Sequence, residues 1–213
     1  MIGFGPGPTK WSPFLILIIA LAMTSCGDSS TPPGETEVCT GYPDWATSAY
    51  VLPYQKGASY TVIQGNCAAP GNGHRGDNRY AYDFGMPIGA AIVATRAGTV
   101  IELEQSHLDG QVAASGFDNY LVIRHADGTS ALYGHLTHNG AAVNLGDAVT
   151  QGEVVAFSGN TGNTANIPHL HVSVQMCDPV TLGTAACPSR PLTFSNTDAN
   201  PNGLLAGNSY SAK

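Results

Sequence analysis

A chain of 213 residues with 26 glycines, 11% charged residues and a net charge of −7 has room for one ordinary domain once an export segment is subtracted. Its eight basic residues are scattered, so no basic stripe exists to neutralise phosphates, and nucleic acid is excluded as a partner. Long helical patterns are absent, and the glycine-rich, charge-poor composition predicts strands joined by tight turns.

The N-terminus predicts an address rather than a fold. Lys10 precedes an apolar run over 14–23, followed at once by Thr24, Ser25 and Cys26. About ten apolar residues are too few to span a bilayer core of roughly 30 Å but suit a signal-peptide core. Small residues and then a cysteine resemble the bacterial lipoprotein processing site, which makes Cys26 the expected lipidation site. Residues 27–38 are polar with a proline pair and predict a flexible tether. The expected organisation is a signal peptide over 1–26, a tether over 27–38, a domain over 39–195 and a loosely ordered polar tail over 196–213. The expected location is the cell envelope or periplasm, on the membrane through the lipid.

Removing Cys26 leaves Cys39, Cys67, Cys177 and Cys187, an even set in a chain bound for an oxidising compartment. Local pairing, Cys39 with Cys67 and Cys177 with Cys187, closes two short loops without threading one through the other, and is the expected pattern. From Ala81 onward, apolar or alternating runs at 91–94, 99–103, 121–125, 131–136, 154–158 and 170–175 predict short strands, punctuated by glycines. Asp127-Gly128 between two of them is a hairpin signal. The predicted fold is all-β, a compact and mostly antiparallel sandwich or open barrel.

Two strands carry the chemistry. In the run from His169 to Gln175, Leu170, Val172 and Val174 alternate with His169, His171, Ser173 and Gln175. Period-2 geometry therefore puts three apolar residues in the core and projects both imidazoles from the opposite face. Similarly, Ala131, Tyr133 and His135 are expected to share one face, with Leu132 and Leu136 on the other. A lone histidine on a strand is more often structural, but adjacent imidazoles disfavour each other's protonation, and a divalent metal is the usual reason to place them so.

These residues fall in an ordered series that resembles the lysostaphin/LytM-type zinc metallopeptidases, whose fold is the duplicated hybrid motif. The series comprises Tyr82-Asp83-Phe84, the run from Asn119 to His125 with Asp127-Gly128, Tyr133-Gly134-His135-Leu136, Gly159-Asn160-Thr161-Gly162 and Pro168-His169-Leu170-His171. It covers roughly residues 73–175. The resemblance implies that Asp83 and His171 are zinc ligands and that His135 and His169 work on the reacting centre. The family's usual histidine four residues before the aspartate is replaced by Arg79, a permanent cation with no lone pair to give. Some relatives have a longer spacing, and Gly73-His74-Arg75-Gly76 matches it, so His74 is the expected third ligand, with His107, His125 and His138 as the other candidates. Three such ligands leave one tetrahedral position open to water, as in catalytic zinc sites. The resemblance further implies cleavage of peptide cross-links or stems of bacterial peptidoglycan, and a cell-wall or divisome partner. A rival reading is an inactive domain of the same type that activates another wall hydrolase. A lipoyl-type carrier is excluded, because Lys10, Lys56 and Lys213, the only lysines, do not sit on the hairpin that would have to carry the group.

Overall fold

The computed structural model describes residues 1–3, 39–67, 73–110, 118–177 and 187–213. The chain divides into two units, 1–30 and 31–213. Of the first only Met1–Gly3 are described, and the expected signal peptide, Cys26 and the tether lie outside the described residues.

The second unit is built of strands. Eleven are described: β1 (Ser59–Gln64), β2 (Tyr82–Gly85), β3 (Ala91–Val93), β4 (Gly98–Glu104), β5 (Tyr120–Arg124), β6 (Ser130–Gly134), β7 (Leu136–Ala141), β8 (Ala148–Val149), β9 (Val154–Ser158), β10 (His169–Gln175) and β11 (Ser209–Ser211). Helical structure among the described residues is limited to two 3₁₀ turns, Trp45–Thr47 and Gly76–Asn78. One sheet runs β11-β1-β2-β10-β6-β5-β4-β8 and the other β3-β9-β7. Every strand pair is antiparallel and neither sheet closes, so the architecture is an open, two-layered β fold of the predicted class.

The core lies where alternation sends the apolar residues. Leu170, Val172 and Val174 of β10 meet Tyr133 and Ala131 of β6 and Leu121 and Ile123 of β5, under Ile92 and Val155 of the smaller sheet. Burying each large aliphatic chain contributes about 1.5–3 kcal/mol, which locks the register of β10 and so decides which residues its other face presents. The β5–β6 hairpin turns at Asp127-Gly128 as expected: Gly128 sits at φ +83° and its N–H donates to the His125 carbonyl at 3.0 Å.

Two expectations are corrected. The tail over 196–213 is part of the domain: β11 pairs with β1, Leu204 and Tyr210 are buried, and the Asn196 side chain accepts a hydrogen bond from the Leu52 N–H at 2.7 Å. Strands also begin before Ala81, since β1 forms the link between β2 and that tail. Ser209–Ser211 is short and polar, and it becomes a strand through pairing with β1 across almost 150 residues.

Candidate metal centre

The polar side of β10 and its two neighbours builds the site. Asp83 of β2 stands directly opposite His171 in the antiparallel register, and Gly85 stands opposite His169. On the other flank His171 faces Gly134 of β6. Each imidazole therefore has either a carboxylate or a residue without a side chain beside it, which leaves space for both rings.

His74 arrives from a loop rather than a strand. Its N–H and its Nδ1 both face the Gly65 carbonyl, at 2.9 and 3.1 Å, just beyond the end of β1. That carbonyl fixes the proton on Nδ1 and leaves the Nε2 lone pair facing Asp83 Oδ1 at 3.3 Å. His171 Nδ1 lies 2.8 Å from the same oxygen. The donor atoms of His74, Asp83 and His171 all lie within 4.8 Å of one another, and this is the one such group among the described residues. Two imidazole nitrogens and a carboxylate oxygen suit zinc in both type and number.

Burial opposes the charge on Asp83, yet the hydrogen bond from His171 and the neighbouring His74 ring outweigh it and hold the carboxyl well below the usual range. Burial pushes the His171 pKa down against the pull of Asp83, which favours the neutral ring, the form a ligand needs. His169 is likewise pushed down by burial.

His135 and His169 face each other beside this group, with ring centroids 4.6 Å apart. His169 Nδ1 faces the Ile167 carbonyl at 2.7 Å, and His135 Nδ1 faces the Thr161 carbonyl at 2.9 Å. In both rings the proton is tied to the backbone on Nδ1, and Nε2 is left as the reactive nitrogen. The shared face expected for Ala131, Tyr133 and His135 is corrected here. Ala131 and Tyr133 are fully buried in the core, and continued alternation would send His135 after them. Instead His135 adopts φ +61°, which breaks the alternation and turns its ring to the other side of the sheet.

The remaining candidates stand apart from the group. His125 lies beyond the far end of β5, His107 caps into Asn119 through its backbone N–H, and His138 is an exposed residue of β7. Arg79 follows the Gly76–Asn78 turn with its guanidinium over the Tyr80 ring. The disulfides are Cys39–Cys67 and Cys177–Cys187, each with Cα atoms 5.6 Å apart. The first anchors the segment that supplies the Gly65 carbonyl. Sequence reasoning missed Asp118, whose Oδ1 lies 3.2 Å from His135 Nδ1. No local signal marks it: the register in which Tyr120 pairs with Gly134 extends to put Asn119 opposite His135, and Asp118 stands one residue further.

Residues 77–181 match the sequence profile of peptidase family M23. The chain is 31% identical over 112 residues to the DD-carboxypeptidase/endopeptidase Mpg of Neisseria meningitidis, a match that covers 52% of this chain and 23% of that protein. It is 34% identical over 89 residues to the peptidoglycan DD-endopeptidase ShyA of Vibrio cholerae, covering 42% of this chain and 18% of that protein. The chain thus spans about a quarter or less of the length of these relatives. Among solved structures, the catalytic domain of the antimicrobial peptidase lysostaphin from Staphylococcus simulans aligns at 26% identity with a TM-score of 0.42, over 64% of this chain and 88% of that one.

Proposed function

The chain belongs to peptidase family M23, and from that membership we propose that it is a zinc-dependent endopeptidase that cuts peptide cross-links or stems of bacterial peptidoglycan. The observation that carries the reading is the convergence of His74, Asp83 and His171 beside two further histidines whose Nδ1 atoms face backbone carbonyls. A peptidase site needs both parts, ligands for a metal and separate groups for proton transfer.

In this reading His74, Asp83 and His171 hold the ion. When bound, zinc supplies Lewis acidity that activates water near neutral pH and polarises a scissile carbonyl. The Gly65 carbonyl keeps His74 in the tautomer that ligates, and the β2–β10 register holds Asp83 against His171. One of His135 and His169 takes the proton of the attacking water on Nε2. The other donates to the developing oxyanion or to the leaving amine. The segment before Cys39 would carry the domain on a lipid at Cys26 and a tether, which lets an anchored enzyme reach a polymer network.

Metal analysis of the purified full chain together with muropeptide release tests the reading. About one zinc per chain and soluble peptides from peptidoglycan are the expected results. A zinc-loaded chain that releases nothing from any peptidoglycan type would replace the peptidase reading with that of an activator of another hydrolase. Cys26→Ala is expected to move the protein from the membrane fraction to the soluble one and to abolish lipid labelling. Unchanged membrane association in that variant would reject the lipid anchor.

A further inference from the structure

Asp118 sits just before β5, outside the metal group, and the surrounding structure is arranged to hold it. The next residue, Asn119, is fully buried and ties three segments together. Its side-chain oxygen accepts from the His107 N–H at 2.9 Å, and its amide nitrogen donates to the His107 carbonyl at 2.8 Å. Its own N–H donates to Thr161 Oγ1 at 2.9 Å, and its carbonyl accepts from the Leu136 N–H at 3.0 Å. Leu136 adjoins His135, and Thr161 supplies the carbonyl on which His135 rests. Asp118 is therefore fixed relative to the two segments that place the ring.

The carboxylate lies against Gly162, which has φ +75°. A Cβ at that position would fall on Asp118 Oδ1, so the missing side chain makes the room the carboxylate occupies. Oδ1 is buried and, among the described residues, accepts no hydrogen bond, yet it lies 3.2 Å from His135 Nδ1. The Nδ1 hydrogen points to the Thr161 carbonyl at 2.9 Å, and the carboxylate oxygen runs alongside at 3.2 Å. Nδ1 thus meets two acceptors, one of them anionic. A bare lone pair on Nδ1 would be repelled by both.

We infer that Asp118 is a positioning residue for His135: it excludes the tautomer with the lone pair on Nδ1 and so keeps Nε2 free for the reacting group. The carbonyl alone accepts a hydrogen bond but carries no charge, and the carboxylate makes the wrong tautomer costlier. The kinetic part of this inference rests on the peptidase reading above, and the spectroscopic part does not.

The test uses the zinc-loaded full chain with Asp118→Ala and Asp118→Asn. Both variants are expected to keep their zinc and to lower kcat on peptidoglycan peptides by about 10- to 100-fold, with KM within about twofold, as loss of a partner behind a working histidine does. Asn should be no better than Ala, because its amide can donate to Nδ1 and favour the wrong tautomer. A merely structural role predicts the opposite, since Asn is isosteric with Asp. Nitrogen-15 shifts of the His135 ring should report the Nδ1–H tautomer in the native chain and a mixture in Asp118→Asn. Native kcat in both variants, zinc loss in step with activity loss, or an unchanged His135 tautomer would each overturn the inference. If the native chain releases no peptides, the peptidase reading fails and the nitrogen-15 result decides the role of Asp118 by itself.

Discussion

The two ends of β5 place histidines in equally buried but chemically different surroundings. Beyond the C-terminal end, His125 is 3% exposed, with Nδ1 facing the Ala97 carbonyl at 3.0 Å and the Tyr50 ring edge-on at 5.7 Å. Its Nε2 has no hydrogen bond among the described residues. Near the other end, His74, His169 and His171 are 8%, 6% and 8% exposed, but all three approach a single carboxylate, Asp83. Burial pushes the pKa down for His125, His169 and His171 alike. Only where a buried carboxylate stands opposite do the lone pairs converge, and that separates a packed histidine from a ligand.

The sharpest way to break the comparison is to remove the carboxylate. Asp83→Ala should bring zinc content to background and abolish peptide release, whereas a variant that still binds zinc tightly would dissolve the distinction. His135→Ala and His169→Ala come next, with zinc retained and rates lowered by at least about 10²-fold, the usual share of acid–base help. Loss of zinc in either would move that residue among the ligands.

A third test targets the support rather than the ligand. Cys39→Ser with Cys67→Ser frees the segment that carries the Gly65 carbonyl, and zinc affinity in chelator competition should fall about 10- to 100-fold. Opening Cys177–Cys187 in the same way should change affinity less, because that bridge packs against Val122 and Leu132 rather than beside the Gly65 carbonyl. Equal effects from the two bridges would reject the assigned role of Gly65.

The smallest effect belongs to the His125 end. Burial, with Arg96 nearby, pushes the His125 pKa below its ordinary value against the pull of the Ala97 carbonyl and Asp127. Below about pH 6.5 the unfolded chain then binds more protons than the folded one. The resulting stability is complete above that pH and is lost as pH falls through the folded pKa. His125→Gln should flatten this acid limb in thermal melts, cost about 1–3 kcal/mol through the carbonyl and packing it disturbs, and leave zinc affinity unchanged. A change in zinc affinity would show that the two ends are coupled.

The histidine-bearing face of β10 was readable before any fold was known, because Leu170, Val172 and Val174 each require burial and a strand has only two sides. The β5–β6 hairpin was readable from Asp127-Gly128 for the same kind of local reason, a turn that needs positive φ. His74 was within reach through the Gly73-His74-Arg75-Gly76 run, once Arg79 was ruled out by its lack of a lone pair. Alternation misled at His135, since its positive φ is a single backbone rotation that leaves no trace in an apolar–polar pattern.

The sequence by itself therefore determined the strand class, the polar face that carries the imidazoles and the donors available to a metal. These follow from side-chain chemistry and from a period of two residues. The tertiary structure decided the rest: that Gly65 fixes the tautomer of His74, that Asp118 reaches His135 through the space left by Gly162, and that Ser209–Ser211 completes the large sheet beside β1. Each of these joins segments with no local signature, and each exists only because pairing of distant strands brings a carbonyl, a carboxylate or an edge into contact.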